Sequence, residues 1–405
     1  MDHQKRQDLV VSGAGLVGSL LACLCADKGL GVCVVDPGLL RPPLEDGSPL
    51  VVDGRSFAIA YGSAQVLKAA GIWKHLRDIP GLLKTIVVSH TGGKKTLCYH
   101  AEDVGVEALG YLVPASDLKQ ALRQALLERE DRLTFRMPGQ VVSWEASEDK
   151  TAVTLGSGEI LMTSLLVGAE GRNSLIAEKL SPQTWGHTYD QTALVFTLGH
   201  TEDHQNRAYE HFTPEGPLAL LPLEGRQMGV VWSLKTQVAN QLVEAPEVLL
   251  NALIQHFGWG LGTLTLLSQI QAYPLSLRMP RTAWGERVVL VGDGAHVLHP
   301  VAGQGLNVGF RDVVSLAEAL SDARSLGLDP GSPSILGPWG KKRRPDQWGL
   351  AALTHGLVGL FEWLPPAFRP IIDAGLWGVG ASPSVKKRLI YRAMGLERPD
   401  RRRED

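Results

Sequence analysis

The stretch LVGDGAHVLHPVAGQGLN at residues 290–307 decides the fold that this sequence predicts. It overlaps an apolar run, residues 288–291, that is typical of a buried strand, and Gly292 and Asp293 follow at the carboxyl end of that run. Apolar residues then recur at spacings of four and three, as on one face of a helix, at Leu306, Phe310, Val313, Ala317 and Leu320. We therefore expect a loop that opens into a helix N-terminus, formed by Pro300, Gly303, Gln304, Gly305, Leu306 and Asn307.

A second glycine-rich turn lies near the start of the chain. A short apolar run leads into Gly13, Gly15 and Gly18, and a helical stretch and a second apolar run then end at Asp36. In such a unit the first glycine permits a tight turn, the second lets a pyrophosphate approach the backbone, and the third lets the helix pack closely. Asp36 stands where an acid that binds an adenosine ribose is expected. This turn predicts a dinucleotide site but does not separate NAD from FAD.

The two stretches together favour FAD. A helix N-terminus near Gly305 would present free amides and partial positive charge. That environment suits the electron-rich N1 and C2 carbonyl edge of a reduced isoalloxazine. Asp293 can accept hydrogen bonds from ribityl hydroxyls.

Residues 292–296 (GDGAH), with Pro300 and residues 303–305, resemble the second FAD motif of the class A flavin monooxygenases, the group that includes para-hydroxybenzoate hydroxylase. A third element at residues 167–174 (VGAEGRNS) resembles the middle motif of that group, which is associated with FAD and NAD(P)H. Glu170, before Gly171, stands where the group usually has Asp. The added methylene shifts the carboxylate, so the sequence leaves the role of this motif open.

A closer resemblance, to the ubiquinone-biosynthesis hydroxylases, covers about residues 7–395 and is nearest to the 2-polyprenyl-6-methoxyphenol hydroxylase type. It is carried by Asp53-Gly54-Arg55 and by residues 71–73, 212–222, 257–259, 273–275, 299–300 and 311–318. The resemblance implies an α/β fold: a Rossmann-like FAD-binding lobe of the para-hydroxybenzoate hydroxylase type, a sheet-based substrate lobe and C-terminal helices. We expect the FAD-binding lobe at 1–75, 100–182 and 278–325, the substrate lobe at 76–99 and 183–277, and a linker with C-terminal helices at 326–405.

The resemblance also implies a reaction. FAD would be reduced by NAD(P)H, a transient cosubstrate, and would react with O2 to a C4a-hydroperoxyflavin that hydroxylates a polyprenylated phenol. The implied catalytic residues are Arg55, which would balance charge on the reduced flavin, with His299 and Pro300. His299, Tyr61 and Tyr273 are the candidates for a general base, on residue type alone. Two alternatives stay open: a hydroxylase of a soluble aromatic compound, and an FAD-fold scaffold in a quinone-biosynthesis complex.

Composition narrows the partners. The chain has 405 residues, 40 Lys+Arg and 42 Asp+Glu, so no global basic field indicates nucleic acid. His296 and His299 lie in or beside the loop that is expected to bind the flavin, and no third metal ligand is nearby in sequence. We therefore expect no metal. The four cysteines have no zinc spacing and are predicted to be small buried side chains in a reducing cytoplasm. We see no signal peptide in the polar N-terminus.

The C-terminal region combines apolar segments with basic clusters. Residues 350–361 and 368–379 are mostly apolar, and basic clusters lie at 341–344, 386–388 and 401–403. One interpretation is core-facing helices with a solvated surface. The other is docking to the inner face of a membrane or to a quinone-biosynthesis complex. The sequence does not determine the oligomeric state.

Overall fold

A computed structural model describes residues 7–40, 55–77, 80–257, 260–362 and 369–396. Several residues on which the expectations above depend lie outside these ranges, namely Asp53, Gly54, Gly258, Trp259, Phe368 and the basic cluster at 401–403.

The strands, in chain order, are β1 (Gln7–Ser12), β2 (Val32–Val35), β3 (Ser56–Ala60), β4 (Gly81–Leu83), β5 (Thr85–His90), β6 (Leu97–His100), β7 (Gly110–Pro114), β8 (Leu133–Arg136), β9 (Val141–Ala146), β10 (Thr151–Leu155), β11 (Ile160–Gly168), β12 (Thr184–His200), β13 (Arg207–Thr213), β14 (Gly216–Pro222), β15 (Gln227–Lys235), β16 (Leu264–Leu266), β17 (Gln271–Pro280), β18 (Trp284–Gly285) and β19 (Val288–Leu290).

The α-helices are α1 (Leu16–Asp27), α2 (Tyr61–Ala69), α3 (Ala115–Leu127), α4 (Leu175–Leu180), α5 (Thr236–Glu244), α6 (Pro246–Phe257), α7 (Gly305–Ser325), α8 (Pro333–Glu362), α9 (Arg369–Ala381) and α10 (Pro383–Ala393).

The first sheet has a parallel centre in the order β19-β11-β1-β2-β8, and β9, β10 and β18 extend it with antiparallel pairs. Its central strands are buried apolar runs, as expected for strands covered on both faces. Helices α1, α3 and α7 share a core with these strands, whose largest buried side chains include Leu9, Leu20, Leu118 and Phe310. The chain therefore builds a Rossmann-like sheet from segments that are far apart in sequence.

The second sheet has the order β16-β12-β15-β14-β13-β5-β6, and β17 also pairs with β12. Helices α5 and α6 cover one face of this sheet through a fully buried apolar cluster that includes Phe196, Leu218, Val230 and Trp232. The side chains that alternate with this cluster point to the opposite face of the sheet. Gly229 on that opposite face lies beside Leu112 of β7. This face of the sheet is therefore directed toward the expected FAD-binding lobe.

The mixed α/β fold predicted from the sequence is confirmed, with local corrections. Helix α6 and strand β14 lie within residues 183–277, where the resemblance implies a sheet-based substrate lobe. The linker expected at the start of residues 326–405 is short, because α8 begins at Pro333. Within residues 76–99, β5 and β6 join the second sheet, whereas β4 pairs with β7 in a small sheet with β3. The lobe boundaries themselves stay a prediction.

The C-terminal region contributes to the core. Leu336 and Trp339 of α8 pack into the cluster of the first lobe, and Ala351 and Val358 pack against β12 and β17. Three of the four cysteines are buried as predicted, namely Cys23, Cys25 and Cys33, whereas Cys98 is half-buried. Burial raises the pKa of Cys23 and Cys25 to about 12.

Candidate active site

In the first glycine turn, a side chain would have space at Gly15 but not at Gly13 or Gly18. Gly13 has φ +108°, and a Cβ there would lie 2.4 Å from the carbonyl oxygen of Ala169. A Cβ on Gly18 would lie 2.0 Å from the carbonyl oxygen of Gly13. A Cβ on Gly15 would meet no described protein atom within 4 Å, and no side chain caps α1 at this residue. Open space at an uncapped helix N-terminus is the geometry that a pyrophosphate requires.

Asp36 holds this turn in place. Its carboxylate accepts hydrogen bonds from the amides of Ala14 at 2.6 Å and Gly38 at 2.7 Å. The residue follows β2, the position that the sequence assigned to a ribose-binding acid. Its role toward ribose stays a prediction.

The fold brings the two glycine motifs together through Val17. A Cβ on Gly292 would lie 3.1 Å from the Val17 side chain, and a Cβ on Gly309 would lie 2.9 Å from it. Asp293 follows directly, and its side chain is exposed beside a small cleft that Arg172 and Arg278 also line. A carboxylate placed next to the first turn can reach a ligand that spans both motifs.

The loop directly before α7, which we call the flavin loop, is hydrogen-bonded to β3. Its short 3-10 turn, Val301–Gly303, contains Ala302 at φ +64°, a conformation that costs a non-glycine residue on the order of 1–3 kcal/mol. Gly303 also has a positive φ, and the side chain of Asn307 accepts from the Ala60 amide and donates to Ala58 and Gly303 carbonyls. Asn307 therefore holds the loop, which the sequence did not indicate.

The start of α7 is open. A Cβ on Gly305 would meet no described protein atom within 4 Å, and no side chain caps the helix at Gln304, whose amide group donates instead to the Ala393 carbonyl. The first amides of a helix have no intrahelical partner. The amides of Gly305 and Leu306 thus lie in an uncapped first turn, as expected for contact with a flavin ring.

Arg55 connects the two lobes. Its guanidinium carbon lies 5.3 Å from the ring centre of Tyr273 on β17 and 5.9 Å from that of Phe57 on β3. Because β3 is the strand to which Asn307 binds, Arg55 lies at the junction of the flavin loop and the second sheet.

Glu170 is engaged by the chain itself. One carboxylate oxygen accepts from the Ser12 hydroxyl at 2.6 Å, and the other accepts from the Ser174 hydroxyl at 2.8 Å and the Ile176 amide at 3.1 Å. These bonds join the end of β1 to the start of α4. Gly171 follows with φ +80° and open space around it. The contacts favour a positioning role for Glu170, and its assignment to cofactor binding stays a prediction.

His299 is placed as a structural side chain. It is buried, its Nε2 lies 3.1 Å from Oε1 of Gln191, and its Nδ1 accepts from the Val301 amide at 3.2 Å. Burial lowers the pKa of His299 to about 4, with His355 acting in the same direction. Both ring nitrogens have partners within the chain, so the contacts do not support His299 as general base. Pro300 accepts a hydrogen bond from Gly303 and shapes the turn.

The tyrosine candidates are also held by neighbours. The Tyr273 hydroxyl donates to Gln271 at 2.6 Å, and Tyr61 packs between two apolar clusters at the start of α2.

Sequence reasoning missed Glu210 on β13. The residue is half-buried, and its carboxylate accepts a hydrogen bond from the amide of Ala302 in the flavin loop. The available signal was the alternation of β13, which places Glu210 between Ala208 and Phe212 on one face of the strand.

Glu210 belongs to a row of residues that crosses the second sheet. Strand register places six residues side by side on this face: Val88, Glu210, Ala219, Val231, Val195 and Gln271. Each is half-buried, although the residues on the opposite face of the same central strands are fully buried. From Glu210 to Gln271 the row spans about 19 Å, because neighbouring strands lie roughly 4.8 Å apart. A central strand stays accessible only where space is left against it, so the row forms an accessible face.

The residues fit FAD: two uncapped helix N-termini, two glycines with open space and one exposed carboxylate lie in the two glycine motifs, which meet at Val17. Within the described residues, no group of three or more His, Cys, Asp or Glu side chains has a metal-binding arrangement.

Comparisons with known proteins agree with this geometry. The family described as "FAD binding domain" matches residues 6–351. The ubiquinone hydroxylase UbiL of Rhodospirillum rubrum is 37% identical over 404 residues, which cover 96% of this chain and 90% of that protein. The 3-demethoxyubiquinol 3-hydroxylase of Escherichia coli is 30% identical over 391 residues, which cover 96% of this chain and 98% of that protein.

Among solved structures, p-nitrophenol 4-monooxygenase PnpA of Pseudomonas putida DLL-E4 shares the fold, with a TM-score of 0.77 at 18% identity, covering 97% of this chain and 99% of PnpA. The predicted cofactor, FAD, and the predicted enzyme class, an aromatic hydroxylase, are both confirmed for this chain. The chain belongs to the class A FAD monooxygenases of ubiquinone biosynthesis.

Proposed function

We propose that this chain hydroxylates the phenolic ring of a polyprenylated ubiquinone precursor. One phenol, O2, NAD(P)H and a proton would give the hydroxylated ring, NAD(P)+ and water. The observation that carries the proposal is the accessible row on the second sheet, which is mostly apolar and faces the flavin loop. Such a surface suits an aromatic ring with a hydrocarbon chain.

The chemistry supplied by bound FAD is oxidation of NAD(P)H and transfer of one oxygen atom of O2 to the ring. The chain would bind the pyrophosphate at the amides near Gly15 and the flavin ring at the amides of Gly305 and Leu306. Arg55 would balance negative charge at the junction of the lobes. The oxygen-transferring species that the resemblance implies stays a prediction.

The nicotinamide would bind only transiently. The sequence offers one complete GxGxxG unit, and FAD takes it. We expect rapid flavin reduction without a long-lived NAD(P)H complex. Tight, saturable and slowly dissociating NAD(P)H binding in stopped-flow reduction would contradict this.

The test is turnover by the purified holoprotein. A phenol with a short prenyl chain is incubated with NADH or NADPH under isotopically labelled O2, and mass spectrometry follows one labelled oxygen atom into the ring. Label in the prenylated phenol but not in simple phenols supports the proposal. Equal labelling of unprenylated phenols favours the soluble-aromatic alternative, and FAD binding without labelling of any phenol favours the scaffold.

The ring position is a separate question. The sequence resemblance favours the 2-polyprenyl-6-methoxyphenol type, whereas the similar Escherichia coli protein is named for hydroxylation at ring position 3. Neighbouring ring carbons differ by little more than an ångström in their reach to the transferred oxygen. Complementation of three strains, each lacking a different ring hydroxylase, separates these steps. Rescue of the methoxyphenol strain alone would support the predicted type.

A membrane or partner-complex location is the last part of the proposal. No helix in the described ranges is both long and apolar enough to cross a membrane. We define the tail surface as the exposed residues Trp377, Val385, Lys387, Arg388 and Leu389 on α9 and α10. The combination of exposed apolar and basic side chains suits the face of an anionic bilayer.

A further inference from the structure

Glu210 is the ionisable side chain of β13 that reaches the flavin loop. Its register partners, Val88 and Ala219, are apolar, and its carboxylate accepts the amide of Ala302 three residues before Gly305. The neighbouring His211, whose pKa burial lowers, points to the opposite face, toward Ser89 and Thr91. Within the described residues, no cation forms an ion pair with Glu210. This carboxyl at an accessible apolar face thus has an amide donor from the flavin loop but, within the described residues, no counter-ion to compensate its charge.

The geometry points to Glu210 as the catalytic base that removes the proton from the phenol hydroxyl. This inference rests on the proposed function. The carboxylate takes the proton as the phenol O–H bond breaks, and the electron pair stays on the phenol oxygen. The added electron density on the ring favours attack on the transferred oxygen atom. When the ring becomes aromatic again, the ring C–H proton leaves to water and the Glu210 carboxyl returns its proton to the phenol oxygen.

The protonation equilibrium suits this role. Burial raises the pKa of Glu210 to about 7, and the hydrogen bond from Ala302 opposes that rise. A catalytic base works best when its pKa lies near the operating pH. Two of the three other candidates have their hydrogen-bonding atoms engaged elsewhere, His299 with Gln191 and Val301, and Tyr273 with Gln271. The third, Tyr61, packs between two apolar clusters.

The test compares Glu210→Gln with Glu210→Asp and with Glu215→Gln as matched control. Gln keeps an acceptor for the Ala302 amide but cannot take a proton at neutral pH. Glu215 lies at the turn of the same hairpin, 3.7 Å from His256 and away from the row. We expect normal FAD content in all three variants. Glu210→Gln should lose about 10²- to 10⁴-fold in kcat with the phenol KM nearly unchanged, and Asp should recover part of the loss.

A second readout needs no turnover. A nitrophenol with a prenyl chain, added to the oxidised protein, reports its ionisation by absorbance. We expect the ionised form in the natural protein and in Glu215→Gln, and the neutral form in Glu210→Gln. The rate of the natural protein should rise through about pH 7, and this limb should be absent from Glu210→Gln.

The outcomes separate the two proposals. If the natural protein hydroxylates the prenylated phenol and Glu210→Gln matches its rate, pH profile and probe spectrum, the inference about Glu210 is overturned and the proposed function stands. If the natural protein binds FAD but hydroxylates no prenylated phenol, the proposed function fails whatever Glu210 does.

Discussion

The carboxylate of Asp312 accepts a hydrogen bond from Nε2 of His296 at 2.7 Å, and neither side chain is exposed to solvent. Asp312 also accepts from Arg343 at 2.7 Å and from Gln347 at 3.1 Å, both on α8. The second FAD motif is therefore fastened through α7 to a helix that the sequence suggested was part of a tail. Removing residues after about 337 would expose this buried network. The effect of such a truncation on turnover could therefore not be assigned to lost membrane docking rather than to misfolding.

The first prediction is that Asp312→Asn lowers the free energy of unfolding by about 1.5–3 kcal/mol, because His296 and Arg343 would lose a charged hydrogen-bond acceptor, while Arg343 keeps its ion pair with Asp346. Urea denaturation at neutral pH measures the loss. Asp322→Asn is the matched control on the same helix, and its exposed side chain should give a change within about 0.5 kcal/mol. Equal stability of the two variants would contradict the role of the network.

The same carboxyl should make stability depend on pH. Burial raises the pKa of Asp312, but His296 and Arg343 outweigh it and hold the pKa below the ordinary value of 3.8. The stabilisation is then present above that value and is lost as the pH falls through the lowered pKa. Asp312→Asn should lack this acid limb in unfolding free energy, while Asp322→Asn should retain it.

The second prediction is that Gly15→Ala lowers FAD affinity without unfolding the chain. The new methyl group would meet no described protein atom within 4 Å, so it should clash only with the pyrophosphate. FAD content and the melting temperature of the apoprotein are measured. Gly337→Ala is the control, since it adds a methyl group to equally open space on α8. Full FAD content in Gly15→Ala would show that this turn does not hold the pyrophosphate.

These glycines show what the sequence could predict. A turn of backbone atoms depends on spacing that can be read directly, so both FAD motifs and the fold class follow from residues near Gly13 and Gly303. The partners of side chains depend on tertiary packing. Spacing could not indicate that Asn307 binds β3, that both nitrogens of His299 are engaged, or that Glu210 meets Ala302 across the two lobes.

The third prediction concerns Asp293. Its side chain is exposed, so Asp293→Ala should leave the stability of the apoprotein within about 0.5 kcal/mol. Loss of ribityl hydrogen bonds to a charged acceptor should cost about 1.5–3 kcal/mol of FAD binding, or roughly 10- to 150-fold in Kd. Fluorescence titration of apoprotein with FAD measures this change. An unchanged Kd would sink the assignment of Asp293 to the ribityl chain.

In the C-terminal region, apolar composition alone could not distinguish helices that face the core from helices that dock to a membrane or a complex. Helix α8 carries buried residues such as Trp339, whereas α9 and α10 are held by a few specific contacts. Asp373 of α9 binds His90 at 2.9 Å, Lys386 of α10 binds Asp103 at 2.7 Å, and Ile390 and Met394 are buried. The two helices are therefore docked with the tail surface exposed.

The last prediction is that the double variant Trp377→Ser with Leu389→Ser binds anionic vesicles at least about tenfold more weakly than the natural protein. Trp377 is 61% exposed and Leu389 is 38% exposed, so neither change removes a core side chain, and each apolar side chain contributes about 1.5–3 kcal/mol when it is buried in lipid. Flotation with phosphatidylglycerol vesicles measures binding, and Leu326→Ser, at a 72% exposed site after α7, is the control. FAD content and turnover of a short-chain phenol should stay unchanged, while turnover of a long-chain phenol in vesicles should fall. Equal flotation of all three proteins, or no flotation of the natural protein, would show that the tail surface does not bind lipid.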